Sequence, residues 1–157
     1  MKRLKLYVET SVWNFYFADD APEKKEATRQ FFEQIRNGEY EIFISEIVFR
    51  EIARASKEKQ ALLLELIANC QPNELEMTEE CVRLAATYIQ EVALPERAVE
   101  DARHVAIATI HEMDALISWN LKHLANLKRM EKINGVNLKE GYSKKLELIT
   151  PMEVSNE

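Results

Sequence analysis

Short apolar runs alternate along the chain with longer segments in which apolar residues recur every three or four positions. The runs are rich in strand-forming residues and predict strands at residues 4–8, 40–44, 115–118 and 146–149. Residues 73–77 are a weaker strand candidate, and their two acidic side chains favour the edge of a sheet. Because helical segments separate the strands, the order is typical of an α/β fold with a parallel sheet.

Apolar stripes with helical spacing predict helices at residues 22–36, 46–55, 57–69, 78–92, 101–113 and 121–132. Asn37-Gly38 and Asn134-Gly135 are typical of helix ends. The aromatic residues at 13–17 are expected to pack the chain onto the sheet after the first strand. A loop is expected at residues 137–145, and Pro151 is expected to end the last strand.

Length and composition favour one ordinary globular domain over residues 1–157. The net charge of -6 argues against bulk electrostatic capture of nucleic acid or of an anionic membrane, so any nucleic-acid contact needs a local basic patch or a bound cation. Cys70 and Cys81 have neither a disulfide pattern nor a zinc spacing. No apolar window is long enough for a signal peptide or a membrane span, and we expect a cytoplasmic protein with no membrane partner.

Polar residues follow three of the predicted strands, in the motifs YVETS, FISE and LISWN. Because the carboxyl ends of parallel strands share one edge of a sheet, that edge is expected to gather acidic and small polar side chains. The candidates are Glu9, Glu46, Glu51, Ser118 and Asn120, with Asp101 or Asp114 brought in by the long helix. Clustered carboxylates repel one another unless protons or a cation intervene. Mg²⁺ or Mn²⁺ fits such oxygen ligands, and would also bind a phosphodiester and activate a water molecule.

Four motifs, in this order, resemble the PIN-domain nucleases, many of which are toxins of bacterial toxin-antitoxin pairs: YVETS, ISEIVFREI, EDARHVAIATI and DALISWNLKHL. The tail INGVNLKEGYSKKLELITPMEV is similar to a bacterial subgroup of that family. The resemblance implies a three-layer α/β/α sandwich with a central, mostly parallel sheet. It also implies a Mg²⁺- or Mn²⁺-dependent endoribonuclease acting on RNA, with an antitoxin protein as partner and a homodimer as the expected assembly.

The resemblance assigns the three metal-binding acids of the family to Glu9, Glu51 and Asp101, and the fourth catalytic position to Asn120. It assigns the small hydroxyl beside the first acid to Thr10 or Ser11. Two of these residues depart from the family pattern, since the first position is usually Asp and the fourth is usually acidic. A neutral Asn120 lowers the negative charge of the site and favours one metal over two.

Two rival functions remain open from the sequence. A PIN-like module that has lost catalysis would bind RNA or a protein without cleavage, and Glu9 together with Asn120 motivates this reading. A phosphate-accepting receiver domain is weaker, because no Asp ends a middle strand with a matching Lys after a later one.

Several candidates also have simple structural explanations. Glu46 is in position to stabilise the first turn of its helix, and Asp114 to cap the turn into its strand. Asp101 has Arg97 and Arg103 within helical reach. The three histidines have no zinc spacing with the cysteines and are expected to be exposed or hydrogen-bonded.

Overall fold

The computed structural model describes residues 2–155 as five parallel strands and their flanking helices. Along the chain the elements are β1 (Leu4–Val8), α1 (Thr10–Phe15), α2 (Pro22–Arg36), β2 (Tyr40–Ser45), α3 (Glu46–Ile52), α4 (Lys57–Cys70), β3 (Asn73–Leu75), α5 (Glu79–Gln90), α6 (Val99–Ile110), β4 (Ala115–Ile117), α7 (Leu127–Lys139), β5 (Glu147–Ile149) and α8 (Pro151–Ser155). The strand order is β3-β2-β1-β4-β5. The predicted α/β/α architecture is therefore confirmed, and every pairing in the sheet is parallel.

Side chains alternate between the two faces of the sheet and build two separate cores. In β1, Leu6 and Val8 pack on the layer formed by α1 to α4 and α8, whereas Tyr7 packs on the layer of α5, α6 and α7. The same alternation holds in β4, where Ile117 faces the first layer and Leu116 the second. Both faces of the sheet are thus covered by helices.

The central strands end side by side, and this arrangement positions the polar motifs. Val8 of β1 pairs with Ile117 of β4, so Glu9 and Ser118 follow on neighbouring strands. On the other side of β1, the strand β2 ends at Ser45, whose hydroxyl accepts a hydrogen bond from the Ile47 backbone and caps α3. The carboxyl edge of the sheet therefore lies at the start of α1 and α3.

Several predicted element boundaries are wrong. Most of the errors lie where a side chain makes a contact in the fold that its sequence neighbours do not indicate. Residues 10–15, which include the first three residues of the expected aromatic patch at 13–17, form helix α1 with Glu9 as its cap. The helix predicted at 121–132 begins only at Leu127, because the Asn126 side chain caps it by accepting from the Arg129 backbone. The helix continues through Gly135 and through the first three residues of the expected loop, and it ends at Lys139.

Three smaller differences concern helix starts and the edge strand. Pro151 begins α8 instead of only ending β5, since proline suits the first turn of a helix. Helix α6 starts two residues before Asp101, which places this acid in its first turn. The weak strand candidate is a real edge strand, shortened to Asn73–Leu75.

Candidate functional site

Glu9 is held at the junction of β1 and α1 by hydroxyl donors. Its backbone N–H donates to the Ile117 carbonyl across the sheet at 3.1 Å, which fixes the start of the turn. Its carboxylate accepts from the Ser11 hydroxyl at 2.5 Å, from the Ser118 hydroxyl at 2.7 Å and from the Ser11 backbone at 3.2 Å. Glu9 is only 5% exposed, so these donors stand in for lost water.

Glu51 reaches the same edge from the last turn of α3. One carboxylate oxygen, Oε1, accepts from the Thr10 hydroxyl and from His104 Nε2, both at 2.6 Å. Burial by itself raises the pKa of Glu51, but the hydrogen bond and charge of His104, with the Thr10 hydrogen bond, outweigh it and lower the pKa. The Glu51 side chain is therefore ionised at neutral pH.

His104 lies beneath this carboxylate with no exposed surface. Its Nδ1 is 2.6 Å from the Tyr7 hydroxyl, which is in turn 2.7 Å from the Ser45 hydroxyl. Burial lowers the pKa of His104, but the hydrogen bond to Glu51 and nearby carboxylate charges raise it overall. One ligand atom each from Glu9, Glu51 and His104 lie within 4.8 Å of one another.

The sequence did not single out His104 as a member of this site. The group of three close ligand atoms includes His104 and not Asp101, which the family resemblance assigns to the metal. The spacing of His104 could have indicated its place in the site, because a residue three positions after Asp101 lies on the same face of the helix.

Asp101 stands in the first turn of α6, beside the close group. Its Oδ2 accepts from the Asn120 side-chain amide at 3.1 Å and lies 3.5 Å from His123 Nδ1. Burial, followed by the charge of Glu9, raises its pKa to about 6. The raised pKa means that a further negative charge in this pocket is unfavourable without a cation or a proton.

Asn120 is fixed by the loop that follows β4. Its Oδ1 accepts from the His123 backbone at 3.0 Å, and its own backbone N–H donates to the Ser118 hydroxyl at 2.9 Å. The Trp119 backbone donates to the Ser11 hydroxyl at 2.9 Å. The loop after β4 is thereby tied to the start of α1, and Asn120 presents its amide to Asp101.

Glu46 and Asp114 lie apart from these contacts. Glu46 is the first residue of α3, has a side chain that is 57% exposed and pairs with Arg50 at 3.0 Å. Asp114 precedes β4 at the opposite edge of the sheet, where it accepts from the Lys5 backbone at 2.7 Å and pairs with Lys144 at 3.0 Å. Their environments match the structural roles that the sequence also allows.

The other two helix acids, Glu51 and Asp101, do not have the environment of ordinary surface acids. Glu51 is not a solvated surface acid, because its side chain is 21% exposed and bonded to His104. The ion pair of Asp101 is with His123, and within residues 2–155 no ion pair joins it to Arg97 or Arg103.

The donor set fits a hard divalent cation. Carboxylate oxygens of Glu9 and Glu51 lie in one close group with His104, and Asp101 stands beside it. Within residues 2–155 the ion pairs of Glu51 and Asp101 are with histidines, so no ion pair with Lys or Arg neutralises either acid. A bound metal ion would supply further positive charge.

A protein-family model described as PIN domain matches residues 6–128, which include Glu9, Glu51, Asp101 and Asn120. The chain belongs to the PIN domain family. PIN domains are generally metal-dependent nucleases. In this PIN domain the match covers the sheet through β4, while most of α7 and all of β5 and α8 follow it.

A structural comparison agrees with this PIN fold. One similar solved structure is the crystal structure of VapBC2 from Rickettsia felis bound to a DNA fragment from their promoter, with a TM-score of 0.55 and 16% sequence identity. The match covers 76% of this chain and 90% of that chain. At this identity it supports the fold alone. No curated protein matches the chain, and no helix among residues 2–155 is long and apolar enough to cross a bilayer.

Proposed function

We propose that this PIN domain is a Mg²⁺- or Mn²⁺-dependent endoribonuclease and the toxin of a toxin-antitoxin pair. The observation that carries the proposal is that Glu9 and Glu51 lie close together at the carboxyl edge of the sheet, beside the hydrogen-bonded pair of Asp101 and Asn120. These residues come from four separate parts of the chain, and each carboxylate accepts hydrogen bonds from neighbouring side chains. A purely structural acid cluster would more simply be neutralised by lysine or arginine.

The residues have separate tasks in this proposal. Glu9 and Glu51 bind the cation with oxygens that Ser11, Ser118 and Thr10 already orient. When bound, a divalent cation neutralises phosphate charge and lowers the pKa of a coordinated water.

Asp101 lies outside the close group and would contact a bound cation indirectly, through water. Without a bound cation, burial and the charge of Glu9 raise the pKa of Asp101 to about 6, closer to neutral pH than that of an ordinary aspartate. Asp101 accepts the proton of the water that attacks phosphorus in line, while Asn120 holds its Oδ2 in place by the amide hydrogen bond. The bond between phosphorus and one ribose oxygen breaks, and that oxygen leaves as a hydroxyl after taking a proton from solvent water.

The test compares Asp101→Asn with Asp114→Asn in cleavage of single-stranded and of structured RNA. The two variants remove one carboxylate each, at opposite edges of the same sheet. We expect wild type and Asp114→Asn to cleave with Mn²⁺ and not with a chelator, and Asp101→Asn to lose at least about 100-fold in rate. Intact RNA in every tube supports the alternative, a PIN-like module that binds RNA or a protein without catalysis.

The toxin assignment needs an inhibitor protein. Its support is the family resemblance and the fold shared with a chain of the VapBC2 complex. We expect expression of the chain alone to arrest growth, and co-expression of the adjacent reading frame to restore it and to yield a stable complex. Light scattering of the purified chain tests the proposed homodimer. Normal growth on expression of active enzyme would remove the toxin assignment and leave the nuclease.

A further inference from the structure

A buried series of hydrogen bonds connects the turn between β2 and α3 to the Glu51 carboxylate. The Ile47 backbone donates to the Ser45 hydroxyl, which is 2.7 Å from the Tyr7 hydroxyl. Tyr7 is 2.6 Å from His104 Nδ1, and His104 Nε2 is 2.6 Å from Glu51 Oε1. The side chains of Ser45, Tyr7 and His104 are fully buried.

The hydrogen-bond partners Glu51 and Tyr7 determine the orientation of the His104 imidazole. An ionised carboxylate only accepts hydrogen bonds, so Nε2 carries the hydrogen and donates to Glu51. The opposite nitrogen is then held by Tyr7, whose ring also packs against the imidazole with centroids 5.5 Å apart. The imidazole therefore has one orientation, and so does the carboxylate oxygen that it contacts.

We propose that His104 is a positioning residue that orients Glu51 for cation binding, with Tyr7 fixing His104 from behind. The inference rests on the proposed metal-dependent function. Although His104 is close enough to Glu9 and Glu51 to act as a ligand, both of its nitrogens already contact protein groups at 2.6 Å. It acts on the cation through the carboxylate.

The same core contains a matched control for Tyr7. Tyr88 is also fully buried, belongs to the same apolar cluster and hydrogen-bonds other side chains, Thr109 at 3.2 Å and Asn137 at 2.5 Å. These partners are not those of Glu9, Glu51 or Asp101. Tyr88→Phe therefore deletes a buried hydroxyl of equal type without touching the series that ends at Glu51.

The experiment is a calorimetric titration of the full chain with Mn²⁺, with folding checked by circular dichroism. We expect His104→Leu to weaken Mn²⁺ binding by about 10- to 100-fold, and Tyr7→Phe by a smaller factor. His104→Gln should retain most of the affinity, because its amide can donate to Glu51. Tyr88→Phe should bind Mn²⁺ as wild type does, even where its melting temperature falls.

Pulsed electron paramagnetic resonance of bound Mn²⁺ separates positioning from ligation. We expect no coupling from a directly bound imidazole nitrogen in wild type, and a nitrogen coupling that disappears in His104→Gln would overturn the positioning role. Wild-type affinity in both His104→Leu and Tyr7→Phe would also overturn it, while leaving the proposed nuclease intact. If His104→Leu does not fold, the comparison of Tyr7→Phe with Tyr88→Phe decides. Absence of Mn²⁺ binding by wild type would remove both the inference and the proposed function.

Discussion

At the scale of single residues, the pKa of the Asp101 carboxyl shows how the negative charges of the site affect one another when no cation is bound. Its side chain is 19% exposed, and burial together with the Glu9 charge raises its pKa to about 6. In the unfolded chain its pKa returns to near 3.8. Because the folded pKa is the higher one, the ionised group opposes folding. That penalty is absent below about pH 4 and complete above about pH 6.

Asp101→Asn should therefore stabilise the metal-free protein. At pH 8, in chelator, we expect its free energy of unfolding to exceed that of wild type by about 1–3 kcal/mol, from the size of the pKa shift. The gain should shrink as the pH falls from 6 to 4. Urea unfolding at several pH values measures it. A variant that is less stable than wild type at pH 8 would mean that the Asn120 hydrogen bond outweighs charge relief.

The sequence was informative about this site where a residue follows a strand. Glu9, Ser118 and Asn120 needed only the rule that parallel strands share a carboxyl edge. The preference for Glu51 over Glu46 came from the family resemblance, because the strand rule does not give the rotation of α3. His104 was missed because its partners, Tyr7 and Glu51, are distant in sequence and appear only once the layers pack.

At the scale of elements, α7 shows a local signal overridden by a tertiary contact. Asn134-Gly135 reads as a helix end, yet the Asn134 side chain bonds both backbone groups of Leu146 at 2.9 Å, just before β5. That contact uses Asn134 as a bridge to the sheet, and the helix continues through Gly135 to Lys139. An isolated sequence cannot reveal which partner the amide will have.

Gly135→Ala should stabilise the protein as a consequence. Gly135 is exposed within α7, and a Cβ built on it meets no atom within 4 Å. Alanine is favoured over glycine inside a helix by about 0.5–1 kcal/mol, and we expect thermal unfolding to detect that gain. Gly38→Ala is the control, since Gly38 has a φ of +76° and should lose stability. A loss at both positions would contradict the helical environment of Gly135.

At the scale of the whole molecule, the sheet and its two cores form a support that does not depend on the site. The apolar runs of β1 and β4 indicate strands that are buried on both faces, and their side chains do alternate between the two helical layers. The carboxylates of the candidate site lie at the carboxyl edge of the sheet, where α1 and α3 begin. A net charge of -6 disfavours the approach of any polyanion, so binding of the proposed RNA substrate would require local neutralisation at this edge.

Binding of Mn²⁺ should therefore raise the stability of the whole domain. At a free Mn²⁺ concentration 100 times the dissociation constant, linkage gives about 2.7 kcal/mol, which is about 5–10 °C in melting temperature for a domain of this size. The increase should be present at pH 8 and decline as the pH falls through about 6, because protonated Asp101 no longer supplies negative charge. Scanning calorimetry with and without Mn²⁺ measures it. Asp114→Asn should keep the full increase and Asp101→Asn should lose part of it, because it removes a negative charge beside the cation, whereas equal increases in both variants would contradict the placement of the cation beside Asp101.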